Sequence, residues 1–299
     1  MPANPLLTSD QNDLTAIQKC GHGSFVETQN GEWYMAHLCS RPNSARGSLL
    51  GRETALQKIT WQDGWPRLAC GGKIAQNAVP APKDLPEVEL PAMAEQDDFD
   101  VPALAPGYAT PRTPLGDCVN LTVRPGWLRL YGGQTLSSHH KQTLFARRWQ
   151  HFAFTATTKI DFAPQNFQQV AGLVLFYDTC NWIYAYITWD ERINARTLQI
   201  LRCDFKDFSY GSEAVPLPDG EISLKVCVNG AEAQFYYKAD GGWQPLGVVQ
   251  PADHLSDDYI ETRRGRCAFT GAMVGICAQD MDAHQSHADF AFFDYEEQR

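Results

Sequence analysis

Two alternating apolar runs constrain the fold of this 299-residue chain more than any other feature. Apolar residues occupy every second position of Ile222–Val228 and again of Ala231–Tyr237, with Asn229-Gly230 between the two runs. A period of two places one set of side chains on one face of a sheet, and Asn-Gly between alternating runs is a strong hairpin signal. The sequence therefore predicts a β-hairpin with one buried face.

The same strand pattern continues through most of the chain. Leu128–Leu130, Phe152–Phe154 and Ile183–Ile187 read as further strands, and Asp178–Asn181 and Asp240–Gly242 supply turns between strands. About a dozen short strands after residue 99, with almost no helical periodicity, favour a two-sheet β-sandwich. We therefore predict an all-β chain.

Residues 15–70 contain a smaller group of strands. Asn30-Gly31 predicts a type I′ turn, in which both central residues need a positive φ, and Asp63-Gly64 marks another turn. Four short strands in so few residues resemble material from a propeller blade, yet no repeat with a regular period is found, so only part of a propeller is expected. The four runs are Gly23–Glu27, Glu32–His37, Ala55–Trp61 and Trp65–Leu68.

A proline-rich stretch separates the two groups of strands. Its prolines alternate with charged residues, and such a segment cannot maintain the hydrogen bonds of a sheet. We predict an extended linker here and hence three regions. These are a partial propeller (1–77), the linker (78–98) and the sandwich (99–299).

Charge and hydropathy exclude several classes of partner. The net charge is -10 and the pI is about 5.2, whereas a nucleic-acid partner would favour a basic surface. The densest basic cluster, Glu261–Arg266, reads as a solvated loop. No apolar run approaches the roughly 20 residues of a membrane helix. Met1–Thr8 has neither a basic nor an apolar stretch, so no signal peptide is expected.

The nine cysteines predict a reducing compartment. Their number is odd, no CxxC pair occurs, and several lie in apolar runs such as Val226–Val228 and Ile276–Ala278. Buried thiols in a cytoplasmic protein fit this pattern better than a disulfide framework. The scattered cysteines and histidines also lack the clustering of a zinc site.

Three short segments contain the candidate functional residues. His22 stands between two glycines at the start of a strand, where an imidazole can donate, accept or coordinate. Arg52 precedes a strand, and its guanidinium can donate two parallel hydrogen bonds to sugar hydroxyls or to a carboxylate. Phe269 lies in an apparent buried strand, Cys267–Gly275. Taken singly, each has a plainer interpretation: a structural histidine, an Arg52–Glu53 surface pair and a core phenylalanine.

Taken together, these segments resemble the β-xylosidases of glycoside hydrolase family 43. The resemblance covers nearly the whole chain, and its motifs follow one another in the family's order. It implies the end of a five-bladed propeller followed by a concanavalin A-like (jelly-roll) sandwich. The motifs are Lys19–Phe25, Trp33–Pro42, Leu50–Gln57, Arg124–Gly132, Ala146–Gln150, Phe167–Leu173, Asn181-Trp182, Leu255–Tyr259, Phe269–Gly275 and His287–Phe290.

The resemblance assigns a role to each candidate. His22 matches a histidine near the floor of the xylose pocket, which positions a water or a divalent cation such as Ca²⁺. Arg52 matches an arginine that contacts the sugar and nearby carboxylates. Phe269 matches an aromatic residue that the sandwich inserts at the pocket mouth. The substrates implied are xylo-oligosaccharides or arabinosides, and the family also suggests a homo-oligomer.

The resemblance also implies that the catalytic groups lie elsewhere. Family members invert the anomeric centre with a general base, a general acid and a modulating aspartate. All three belong to propeller segments that precede the histidine motif. Asp10 and Asp13 match the loop before that motif and no catalytic position. We therefore expect no catalytic residue in this chain, no hydrolysis by the chain alone, and a need for an N-terminal half.

Two other functions fit parts of the sequence. A non-catalytic carbohydrate-binding module would stack sugars on exposed Trp127, Trp182 or Trp189, although tryptophan in a sandwich is more often core. A new catalytic pair built from Glu53 and Asp63 has no supporting spacing.

A metal site near the C-terminus also remains open. Asp280 and Asp282 are followed by His284 and His287, a set of oxygen and nitrogen ligands. A polar loop between two strands explains the same residues equally well.

Overall fold

The N-terminal strands form one four-stranded antiparallel sheet, here called the blade. The computed structural model describes residues 4–10, 17–101, 103–265 and 267–298. Each strand of the blade pairs with the next one along the chain, as the four predicted runs indicated. The strands are β1 (Gln18–Glu27), β2 (Trp33–Ser40), β3 (Glu53–Gln62) and β4 (Trp65–Leu68).

The two predicted turns of the blade differ. Asp63 and Gly64 both have positive φ, 51° and 75°, and join directly paired Gln62 and Trp65 as a two-residue turn requires. The type I′ prediction for Asn30-Gly31 is wrong, because only Gly31 has a positive φ (77°). A 2.8 Å hydrogen bond from the Thr28 N–H to the Glu32 carbonyl closes a longer loop there.

The remaining strands form two stacked antiparallel sheets. Their strands are β5 (Gln96–Asp97), β6 (Tyr108–Ala109), β7 (Val119–Asn120), β8 (Leu128–Tyr131), β9 (Thr143–Arg148), β10 (Ala153–Asp161), β11 (Gln169–Asp178), β12 (Asn181–Asp190), β13 (Ala195–Asp204), β14 (Asp207–Tyr210), β15 (Val215–Pro216), β16 (Glu221–Asn229), β17 (Glu232–Lys238), β18 (Gln244–Pro251), β19 (Met273–Asp280) and β20 (His287–Glu297). Within the described residues, sheet I has the order β18-β17-β16-β10-β20-β8-β7, with β5 also paired to β20. Sheet II has the order β14-β13-β12-β11-β19-β9-β6, with β15 paired to β13.

The facing sides of the two sheets make the main core. The predicted hairpin is confirmed as β16 and β17, in which Val226 pairs with Phe235 and both side chains are fully buried. They pack in one cluster with residues of sheet II such as Leu173 and Ile200. Each fully buried side chain of this size stabilises the fold by about 1.5–3 kcal/mol. The all-β, two-sheet fold predicted from the sequence is thus confirmed.

Sheet II is apolar on its outer side as well. Trp182, Tyr184 and Tyr186 alternate along β12 on that side and pack against Phe176 and Cys277. The Tyr184 hydroxyl donates a 2.8 Å hydrogen bond to the Cys277 carbonyl, two strands away. All three aromatic side chains are almost fully buried.

A loop of the blade contributes to the core of the sandwich. Leu49 and Leu50, between β2 and β3, are buried in the same cluster as the two inner sheet faces. The Ala272 N–H, just before β19, donates a 2.8 Å hydrogen bond to the Leu49 carbonyl. Blade and sandwich are therefore packed together at this loop.

The proline-rich stretch contacts the blade and then enters the sandwich. The Tyr34 hydroxyl donates to the Pro80 carbonyl at 2.9 Å, and the Lys83 N–H donates to a Glu32 carboxylate oxygen at 2.6 Å. Gln96–Asp97 already pair with β20. The bounds of the three predicted regions stay a prediction.

One short helix was missed by the sequence reasoning. Helix α1 spans Asp257–Arg264, so the interpretation of Glu261–Arg266 as a loop is wrong for Glu261–Arg264. Arg266 lies outside the described residues. Ser256 caps the helix start by accepting the Tyr259 N–H, and Gly265 ends it at φ 65°. No helix in the described ranges is long and apolar enough to cross a membrane.

Candidate functional site

Arg52 and Phe269 lie in direct contact across the boundary between blade and sandwich. The guanidinium carbon of Arg52 lies 3.7 Å from the centroid of the Phe269 ring, which is a cation–π contact. The Phe269 side chain is 43% exposed, so the interpretation as a core residue is wrong. Phe269 precedes β19 in a loop and not in a strand, because β19 begins only at Met273.

Two glycines bring the two backbones together beneath this pair. Gly51 and Gly271 have φ values of 71° and 73°. A Cβ atom on Gly271 would lie 2.5 Å from the Gly51 nitrogen, far inside van der Waals contact. Arg148 also donates a hydrogen bond to the Thr270 carbonyl, beside Phe269. The Arg52 and Phe269 side chains therefore project from segments that touch backbone to backbone.

Arg52 does not pair with its neighbour Glu53. Both Glu53 carboxylate oxygens instead accept hydrogen bonds from Arg41, at 2.8 Å from Nε and 2.7 Å from Nη2. This fork raises the pKa of the Arg41 guanidinium. The predicted Arg52–Glu53 surface pair is therefore wrong, and the exposed Arg52 guanidinium lies over Phe269 instead.

His22 lies on an irregular part of β1. Its φ is 51°, and the pairing register with β2 shifts on both sides of Gly21. No hydrogen bond joins the His22 ring to the part of the chain that the structure describes. Its strand is two inter-strand spacings from the strand that follows Arg52, about 10 Å across the sheet. Arg52 and Phe269 are thus in direct contact, whereas His22 lies on the same sheet about 10 Å away by strand spacing.

A fully buried carboxylate is hydrogen-bonded to the loop that carries Phe269. Asp257, the first residue of α1, accepts the Gly271 N–H at 3.0 Å and the Tyr177 hydroxyl at 2.9 Å on one oxygen. Burial raises the pKa of Asp257, although these two donors oppose the shift. The sequence reasoning missed this residue; the signal that marks it is Ser256-Asp257-Asp258, a helix N-cap followed by acids.

The next residue, Asp258, reaches two parts of the blade. One carboxylate oxygen accepts the Ser48 N–H at 2.7 Å, and the other forms an ion pair with Lys19 at 2.8 Å. Burial works against the charged form, but these partners outweigh it and lower the pKa of Asp258. Lys19 belongs to β1, three residues before His22.

The structure rules out the proposed catalytic pair and one of the three tryptophans of the binding-module alternative. Glu53 and Asp63 lie at opposite ends of β3, about 30 Å apart by strand rise, so they cannot act as a catalytic pair. Trp182 is only 4% exposed and presents no face for a sugar. Asp13 lies outside the described residues.

Asp280, one of the acidic residues near the C-terminus, forms hydrogen bonds to the backbone of the loop that follows it. The Asp280 carboxylate accepts the N–H groups of Asp282, Gln285 and Ser286 at 2.8–3.0 Å. Within the described ranges, no three His, Cys, Asp or Glu side chains converge as metal ligands, near His22 or elsewhere. Calcium takes six to eight oxygen ligands, so the described residues by themselves do not fit a calcium ion at His22.

Two protein-family models match this chain. Residues 96–296 match the model described as "Beta xylosidase C-terminal Concanavalin A-like domain". Residues 1–66 match the model "Glycosyl hydrolases family 43". The two matches cover the sandwich and the blade in that order.

Individual proteins match almost the whole chain. A putative β-xylosidase of Escherichia coli is 40% identical over 99% of this chain and 57% of its own length. A β-xylosidase of Bacillus subtilis is 39% identical with the same shares covered. The crystal structure of a xylan β-1,4-xylosidase from Bacillus halodurans superposes with a TM-score of 0.92 at 40% identity, again over 99% of this chain and 57% of the other. The chain thus spans little more than half the length of these relatives.

Proposed function

Because this chain belongs to the family 43 glycoside hydrolases whose C-terminal domain is concanavalin A-like, we propose that it forms part of a β-xylosidase. The reaction is the hydrolysis, with inversion, of terminal O-glycosyl bonds in xylo-oligosaccharides. In this proposal the chain supplies one wall and the lid of the sugar pocket, through His22, Arg52 and Phe269. The names and sequences of the relatives support it.

The observation that carries this proposal is the contact between Arg52 and Phe269. The guanidinium has donors in a fixed fork that suits sugar hydroxyls or a neighbouring carboxylate. The exposed phenyl ring offers an apolar surface that excludes water from one side of a bound sugar. A donor and an apolar ring from two different domains, fixed together, suit the mouth of a small pocket.

In this proposal the general acid and base come from a complementary N-terminal segment, on the same polypeptide or a separate one. The blade has exposed apolar side chains against which such a segment can dock. Val26, Leu56 and Trp65 share one side of the blade and are 51%, 39% and 49% exposed. Burying them against further blades stabilises the assembly at about 25 cal/mol per Å².

Complementation tests this proposal. The chain is purified alone and also co-expressed with the N-terminal part of the Bacillus subtilis relative that precedes the matched region. We expect xylose release from an aryl β-xyloside only by the co-expressed pair. Arg52→Ala or Phe269→Ala should reduce that activity, whereas Tyr210→Ala, at an exposed position on β14, should not.

Two outcomes would contradict the proposal. Hydrolysis by the chain alone would show that no complementary segment is needed. A stable complex that cleaves neither an aryl β-xyloside nor an aryl α-arabinofuranoside would refute the glycosidase function. Cleavage of the arabinofuranoside alone would shift the proposed substrate class from xylosides to arabinosides.

We also propose a cytoplasmic location. All nine cysteines are unpaired, and several are buried. Structural thiols of this kind persist in a reducing compartment.

A further inference from the structure

We propose that Asp257 and Asp258 of α1 are positioning residues that hold the blade and the sandwich in register around the sugar pocket. This inference rests on the function proposed above. The two adjacent carboxylates together contact the segments that carry all three candidate residues. Those segments are β1 for His22, the β2–β3 loop for Arg52 and the loop before β19 for Phe269.

Asp257 fixes the loop that carries Phe269. Its Oδ1 accepts the Gly271 N–H at 3.0 Å, two residues after Phe269. Its own backbone N–H donates to the Ser48 carbonyl at 3.1 Å, four residues before Arg52. One fully buried residue therefore binds the backbones of both loops whose side chains form the cation–π contact.

Asp258 fixes the blade from the other side. Its Oδ2 accepts the Ser48 N–H at 2.7 Å, so Ser48 is bound through its N–H and its carbonyl by successive residues of one helix. Its Oδ1 pairs with Lys19 at 2.8 Å. Because Lys19 lies three residues from His22 on β1, the same carboxylate connects the Arg52 loop to the strand of His22.

The surrounding backbone leaves little freedom for another arrangement. A Cβ on Gly47 would lie 3.1 Å from the Ser256 side chain, and one on Gly271 would overlap Gly51. Leu49 is anchored in the sandwich core between these contacts. If a substitution removes these contacts of α1, we therefore expect the backbones of both loops to shift, and the Arg52 and Phe269 side chains to shift with them.

These contacts predict a particular kinetic effect. Neither carboxylate reaches the Arg52 guanidinium or the Phe269 ring, so they act on the sugar only through the loops. Loss of positioning should weaken substrate binding at the pocket mouth and raise KM. The chemical step, carried out by the acid and base proposed for the complementary segment, should keep its kcat.

The test combines amide exchange in the full chain with kinetics of the complemented enzyme. In Asp257→Ala we expect the Gly271 amide to exchange about tenfold faster, and in Asp258→Ala the Ser48 amide, because each loses its acceptor. Asp257→Asn keeps the Oδ1 acceptor and should restore the slow exchange of Gly271. Glu261→Gln, on the same helix without a described side-chain partner, is the matched control. In the complemented enzyme, Asp258→Ala should raise KM for xylobiose about fivefold with kcat changed less than twofold.

The outcomes separate this inference from the proposed function. Wild-type exchange at Ser48 in Asp258→Ala, or an unchanged KM, refutes the positioning role. If Asp257→Ala does not fold, Asp258→Ala and Asp257→Asn decide the result. If the complemented wild-type enzyme is inactive, the proposed function fails, while the exchange measurements still confirm or refute the positioning of the loops.

Discussion

Replacing Gly271 by alanine tests the close approach of the blade and the sandwich. Gly271 has a φ of 73°, which costs an alanine about 1–2 kcal/mol in any surroundings. Its added methyl group would also lie 2.5–2.7 Å from the backbone of Leu50 and Gly51. Backbone atoms cannot move aside as a flexible side chain does, so the clash adds about 1–3 kcal/mol.

Gly126 provides the matched control. It lies in the sandwich with a φ of 75°, and an added Cβ would meet nothing within 4 Å. Gly126→Ala therefore carries the conformational cost without the clash. The difference between the two variants isolates the contact with the blade, and we expect it to be about 1–3 kcal/mol in the free energy of unfolding.

Denaturant unfolding of the full chain measures this difference. Intrinsic fluorescence reports the transition, and the midpoint and slope are fitted for both variants and the parent. In thermal unfolding, the same difference corresponds to about 2–4 °C per kcal/mol. If Gly271→Ala is no less stable than Gly126→Ala, the segments of Gly51 and Gly271 are not in contact, and the geometry beneath the Arg52–Phe269 pair is wrong.

Three further predictions follow from buried charges and thiols. Because burial raises the pKa of Asp257 above 3.8, the stability of the parent falls as pH rises from 3.8 through the folded-state pKa. Asp257→Asn does not titrate there, so in urea titrations its stability relative to the parent should increase over that rise. Arg129→Gln removes hydrogen bonds of 2.7 and 2.8 Å to the buried Asp289 carboxylate but leaves its 3.1 Å bond from Arg124, so it should cost about 1.5–2 kcal/mol near pH 7. The loss should shrink in acid as Asp289, whose pKa is lowered, becomes protonated. A thiol assay on unfolded, unreduced protein should count nine free cysteines, and a lower count would contradict the reducing compartment.

The strands were predictable because their signal is local. Apolar residues alternate with a period of two over seven residues in β16 and in β17, and this pattern can be recognised without knowing what packs against these strands. Helix α1 was not found, since eight residues hold only two turns and its amphipathic pattern is weak. Its caps, Ser256 and Gly265, were nonetheless readable in the sequence.

The candidate site was predictable only in part. Family resemblance indicated Arg52 and Phe269 separately, but more than two hundred residues separate them, and no periodicity predicts which loops meet. The carboxylates of Asp257 and Asp258 were also beyond local reasoning. Their importance comes from partners on the blade, and an acidic helix start by itself indicates only capping.

Leu49 and Leu50 have a consequence for how this molecule can be divided. They precede the proline-rich stretch along the chain, yet they complete the core of the sandwich that follows it. A sandwich separated by a cut within residues 78–98 would therefore contain a cavity where these leucines pack. The loss of each leucine side chain would lower its free energy of unfolding by about 2–5 kcal/mol. That loss rivals the net stability of a typical domain, about 5–15 kcal/mol. The sandwich is thus not a portable module: recombination that moved it to another protein would have to move this loop of the blade as well.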